Sequence, residues 1–79
     1  MPREFPRYEI SLRRARETAV PLHPDTQKRR AIRRLRTMLA LNPPHTRGEV
    51  RVIPPGKKRG TLIYQARVSV DGEIVVEEL

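Results

Sequence analysis

Cysteine and tryptophan are absent from this 79-residue chain, aromatic residues are confined to Phe5, Tyr8 and Tyr64, and acidic residues number nine against seventeen basic ones. Each shortage excludes something. Without cysteine, neither a disulfide nor a thiolate metal site can staple the fold. No apolar run approaches the ~18 residues of a membrane span, so no membrane partner is expected. Pro2, Arg3, Glu4 and Pro6 interrupt any apolar signal core at the start of the chain. A reducing, cytoplasmic setting is the expectation. With Tyr8 and Tyr64 needed for the core, the chain has no aromatic platform on which single-stranded bases could stack. The aromatic sheet signature of common RNA-binding domains is missing as well.

Chemistry-bearing clusters are also scarce. His23 and His45 each sit in a proline-rich loop, with no second ligand at metal spacing, so no metal is expected. Ser11 and Ser69 fall on predicted strands, and neither has a nucleophile elbow or a paired base. Glu73, Glu77 and Glu78 lie on the last strand and read as solvated edge residues or as partners for Arg67. The stretch Pro54-Pro55-Gly56-Lys57-Lys58-Arg59-Gly60 lacks the G-x-x-x-x-G-K-[ST] spacing and leads into no helix, so it is not a nucleotide loop and no cofactor is implied.

What the chain has in abundance is positive charge. The formal net charge is +8 and the pI about 11.3. Residues 1–41 carry +7, residues 42–67 carry +5 and residues 68–79 carry −4, which sum to that +8. The positive field therefore covers most of the chain, and the acidic tail can turn away from an anion. Arginine outnumbers lysine fourteen to three within the seventeen basic residues. Arginine presents a planar fork of donors suited to phosphate.

The densest run is Lys28 to Arg36. Six of its nine positions are basic: Lys28, Arg29, Arg30, Arg33, Arg34 and Arg36. The other three, Ala31, Ile32 and Leu35, recur at helical spacing and continue into Met38 and Leu39. The pattern predicts one amphipathic helix over 25–41. Pro24, Asp25 and Thr26 supply its start, and Asn42-Pro43-Pro44 its stop. A solubilising helix interleaves Glu with Lys or Arg four residues apart, and this run does not. The expected role of its basic face is therefore to grip an anion, with Lys57, Lys58 and Arg59 as a second contact from a loop. Phosphates of nucleic acid fit best, and a duplex or folded RNA fits better than a splayed strand.

The rest of the chain reads as β. Residues 1–6 form an extended arm. Alternation predicts strands at 7–12, 49–53, 61–69 and 73–78, whereas Arg13 to Ala19 could add a turn of helix. Leu62, Tyr64, Ala66, Val68 and Val70 share one predicted face. For the last hairpin, a two-residue turn at Asp71-Gly72 would set Ala66 opposite Glu77. A three-residue loop with Gly72 left-handed sets Val68 opposite Ile74 and Ala66 opposite Val76, and is preferred. The whole is one small α+β domain over 1–79: the helix packed on a three- to four-stranded antiparallel sheet. Its core is Tyr8, Ile10, Leu12, Ile32, Leu35, Leu39, Val50, Val52, Leu62, Tyr64, Val68, Ile74 and Val76.

Two short passages add a likeness. Leu39-Ala40-Leu41-Asn42-Pro43, followed by Tyr64-Gln65-Ala66-Arg67-Val68, resembles the L-x-x-N/D-P turn and the Y-R-x-R-V strand of the RelE/ParE toxin superfamily. The element order is also similar. This resemblance implies an endoribonuclease acting on mRNA at the ribosome, with Arg67 and, more loosely, Arg51 stabilising the charged transition state. It also implies an acidic antitoxin as partner. The chain departs from the family's pattern in its short, proline-flanked first helical stretch. It also ends at Leu79, leaving no later basic or tyrosine residue. Three functions thus stand open: a non-catalytic nucleic-acid-binding module, favouring RNA or ribonucleoprotein over DNA; a RelE-like ribonuclease or a degenerate member of that group; and an adaptor docking on an acidic protein.

Overall fold

A computed structural model describes residues 5–77 and 79. Its elements are β1 (Arg7–Arg13), β2 (Val20–Pro21), α1 (Lys28–Ala40), β3 (Arg47–Ile53), β4 (Thr61–Val68) and β5 (Ile74–Glu77). All neighbours in the sheet are antiparallel, in the order β2-β1-β3-β4-β5. The helix covers one face of the sheet. The fold is therefore α+β, with five strands where the alternation pattern suggested three or four. Of the predicted arm over 1–6, residues 1–4 lie outside the described residues, as does Glu78 at the end of the last predicted strand.

The additional strand explains the segment after β1. Arg13 to Ala19 forms no helical turn. Instead β1 runs through Arg13, the chain turns with Arg16 in the left-handed region (φ 65°), and Val20–Pro21 returns along β1 opposite Leu12 and Ser11. Proline is tolerated there because β2 is an edge strand. The backbone then crosses to Asp25, which pairs with Tyr8 through two backbone hydrogen bonds (2.7 and 3.0 Å). This pairing holds Asp25 extended, so the helix starts at Lys28 rather than at 25. Gln27 is the cap position, with extended backbone and no side-chain cap bond.

Ala31, Leu35 and Leu39 are fully buried against Ile10, Leu12, Val50, Ala66 and Val68. Gly48 makes the close approach possible, because a Cβ built there would overlap the Leu35 side chain. The helix stops at Ala40. The Asn42 side chain donates to the Met38 carbonyl (2.6 Å), and Pro43 follows, which cannot continue the ladder.

The last hairpin adopts the three-residue loop: Val68 faces Ile74, Ala66 faces Val76, and Gly72 has φ 84°. The β3–β4 turn is closed by Lys57 N–H on the Pro54 carbonyl (3.1 Å) with Gly56 left-handed (φ 76°), the arrangement a Pro-Gly turn favours.

One face assignment changes. Val50 pairs with Tyr64 but Arg51 pairs with Leu62, so β4 carries an extra residue at Ile63. The irregularity turns Leu62 to the side of Arg51, away from Tyr64 and the helix. Val76, although opposite Ala66, remains half exposed at 48 % because it lies on an edge strand. The buried positions that alternation missed are Ile53, Thr46 and Asp25.

Candidate nucleic-acid interface

The six basic residues of the 28–36 run do not form one uniform surface. Arg30 donates through Nε to both carboxylate oxygens of Asp25 (2.9 and 2.8 Å), and Arg34 Nη1 reaches Oδ2 at 3.4 Å. Asp25 is 6 % exposed and also accepts the backbone N–H groups of Thr26 and Gln27 (2.7 and 3.0 Å). The hydrogen bond from Arg30 holds the Asp25 carboxyl far below the usual carboxylate range. Burial opposes that effect, and the Gln27 and Thr26 N–H groups reinforce it. The same pairing raises Arg30 above its ordinary value. A carboxylate at this end of α1 also meets the positive end of the helix dipole. Arg30 and Arg34 thus tie the helix to the segment crossing in front of it, and within the expected anion-binding face they are the two members that already pair with a carboxylate.

Arg29, Arg33 and Arg36 remain. Their spacing of four and three residues aligns them along one side of α1, away from Ala31, Leu35 and Leu39. All three are exposed, and none enters an ion pair among the described residues. Lys28 is exposed in the first turn, in line with the buried stripe. Lys57, Lys58 and Arg59 sit in the exposed β3–β4 turn. That turn is at the end of the sheet where α1 begins, since Tyr8 is opposite Val52 and bonds Asp25.

On the open face of the sheet, Arg51 and Arg67 do not come together. Arg51 donates to Glu49 (3.1 Å) and lies opposite Glu9 and Leu62. Arg67 lies opposite Arg47, which lies opposite Arg13. Three strands therefore present three arginines in one cross-strand row. Like charges directly opposite each other destabilise a sheet, by the ~0.2–1 kcal/mol that such pairs are worth. Beyond this row lies a cleft of about 490 Å³ lined by Arg13, Arg14, Arg16, Arg47, Arg67 and His45, together with Ala15 and Val68. No carboxylate lines it. Arg14 is anchored by its Nε on Asn42 Oδ1 (2.9 Å). His45, like Arg16, has left-handed backbone (φ 72°). The expected pairing of the final acidic residues with Arg67 is absent among the described residues: Arg67 faces Val75, and Glu77 faces Gln65.

Sequence reasoning named only Arg67 of this cluster. Arg13 and Arg47 lie just outside the strands expected at 7–12 and 49–53, and only the longer β1 and β3 make them outward strand positions. Their meeting needs the register between β1 and β3, which are 34 residues apart at Arg13 and Arg47. Among the described residues no cluster of His, Asp and Glu could hold a metal ion, and no helix is long and apolar enough to cross a membrane. Compared with protein-family models, curated proteins and solved structures, the chain matches none of them.

Proposed function

We propose that this protein is a small basic module that binds nucleic acid through its phosphates, with RNA or ribonucleoprotein favoured over DNA. The observation that carries the reading is the outward stripe of Arg29, Arg33 and Arg36 on a helix whose opposite side is locked into the core by Leu35 and Leu39. Three like charges at helical spacing repel one another, and α1 contains no acid to relieve them. A row of phosphates relieves them. Lys57, Lys58 and Arg59, at the end of the sheet where the helix begins, extend the positive surface. Tyr8 and Tyr64 pack against the core and Phe5 stands alone, which favours a grip on the backbone of a duplex or folded RNA over stacking on single-stranded bases.

The test is a salt titration of RNA and DNA binding. Arg29→Glu with Arg33→Glu is expected to weaken binding at least about tenfold and to flatten the slope of log K against log salt by about one and a half, since each lost phosphate contact removes roughly 0.7–0.9. Unchanged affinity and slope in that variant sink the proposal. Capture of one acidic protein that survives nuclease treatment would instead support the adaptor reading.

One observation favours a second reading, a RelE-like endoribonuclease. Arg67 shares a polar cleft with other arginines and a histidine, a setting that could stabilise a pentacovalent phosphate. Arg51, paired with Glu49, stands apart from that cleft. It requires growth arrest on expression, relieved by Arg67→Ala; harmless expression of the wild-type chain ends it.

A further inference from the structure

The cleft beyond the Arg13–Arg47–Arg67 row lies at the end of the sheet where α1 stops, since Arg14 donates to Asn42 and His45 N–H to the Val68 carbonyl, and the helix-mediated binding described above makes no use of it. We propose that it is a second anion site, built for a run of adjacent phosphate groups, an oligophosphate, rather than for a single phosphate.

The geometry of the row is the first ground. Three guanidinium groups leave one face from adjacent strands about 4.8 Å apart, so the row spans about 10 Å. Nothing in the fold requires this. Each of the three positions is on the open face, where an uncharged polar residue would serve the sheet better. None of the three enters an ion pair among the described residues, although Arg7, Arg30, Arg34 and Arg51 all do.

The lining is the second ground. Arg14 and Arg16 come from the β1–β2 turn and His45 from the loop before β3, so the row ends in a half-open cleft. Arg16 and His45 both hold left-handed backbone, an uncommon state for side-chain-bearing residues that clusters at ligand sites. The volume of about 490 Å³ is that of a small-ligand site.

Charge sets the ligand. A phosphate monoester carries about −1.5 to −2 near neutral pH. Arg13, Arg47 and Arg67 alone exceed that, and Arg14 and Arg16 add two more charges. Adjacent phosphates in one chain match the count, and guanidinium forks suit their paired oxygens. No Phe, Tyr or Trp lines the cleft, and its five arginines outnumber its single ring, His45. Recognition is therefore of the phosphates themselves. A free oligophosphate and the 5′-triphosphate end of an RNA strand share this chemistry.

Calorimetric titration of the full chain with inorganic tripolyphosphate and with inorganic phosphate, at about 0.15 M salt, tests the site. One tripolyphosphate is expected per chain, bound at least about tenfold more tightly than phosphate. Arg47→Gln with Arg67→Gln should weaken it about ten- to a hundredfold, the loss of one or two charged hydrogen bonds. Arg29→Glu with Arg33→Glu should change it less than about threefold, because the two sets are on opposite faces. Arg13→Gln, measured beside the double variant with circular dichroism on both, guards against a folding artefact. Absence of tripolyphosphate binding, equal affinity for phosphate, or equal loss in the helix variant overturns the proposal. RNA of one sequence with a 5′-triphosphate or a 5′-hydroxyl separates the sources. A preference for the triphosphate end that vanishes in Arg47→Gln with Arg67→Gln assigns the site to strand ends. Equal RNA binding, with tripolyphosphate still bound, assigns it to a free oligophosphate. The helix reading fails separately, if Arg29→Glu with Arg33→Glu leaves RNA affinity intact.

Discussion

The arginines before the helix-covered face and those on the open face live in opposite electrostatic settings. Arg30 and Arg34 converge on a buried carboxylate, Asp25, which is itself tied to β1 by backbone hydrogen bonds. Arg13, Arg47 and Arg67 converge on one another. The first group stabilises the fold. The second opposes the sheet it stands on by like-charge repulsion, and the nearest acid on that face, Glu49, pairs with Arg51. Residue type is therefore a poor guide to role in so basic a chain; the presence or absence of an acid within reach separates scaffold from site.

The contrast can be broken most severely on β3, where neighbouring residues point to opposite faces. Gly48→Ala pushes a methyl group into Leu35, which is fully buried and cannot yield, and is expected to destabilise by about 1–3 kcal/mol in urea unfolding. No loss of stability in that variant would mean that the helix does not seat on β3 as described. Next comes Asp25→Asn, which removes the negative charge that pairs with Arg30 and Arg34 and one of the two acceptor oxygens at the helix start. Melting temperature should fall by several degrees, and the pH response should change with it. Because the folded-state pKa of Asp25 lies below its unfolded value of about 3.9, its contribution is present above that pH and is lost as the pH falls below it. The wild-type chain should therefore lose stability between about pH 5 and pH 2 more steeply than Asp25→Asn, as thermal melts across that range would reveal.

A smaller effect of opposite sign is expected one residue from Gly48. Arg47→Gln removes the central charge of the row and should raise stability by a few tenths to about 1 kcal/mol. A loss of stability would show that Arg47 serves the scaffold and would erase the distinction between the two groups. The smallest effect belongs to Glu49→Gln, which opens the exposed pair with Arg51; a change under about 0.5 kcal/mol is expected.

Much of the fold was legible in local pattern. The helix stripe, its proline stop and the four longer strands follow from spacing, and the three-residue hairpin follows from asking which register buries Val68, Ile74 and Ala66 together. The missed features share a cause. Asp25 reads as a helix cap until Tyr8, seventeen residues earlier, claims its backbone. Leu62 reads as core until the irregularity opposite Val50 turns it over. Val20–Pro21 reads as a break until β1 offers it an edge to pair with.

The candidate site divides in the same way. Composition and helical spacing by themselves determined that the chain carries a strong positive field and one amphipathic helix with arginines on its outer side, because both depend on residues within two or three turns of one another. Which arginines are tied down and which are left facing one another was decided only by tertiary structure. A guanidinium's role depends on the charges within a few ångströms of it, and those are brought by strands and loops distant in the chain. Arg67 alone shows no function; opposite Arg47, with Arg13 beyond it and no carboxylate lining the cleft, it becomes part of the site proposed above.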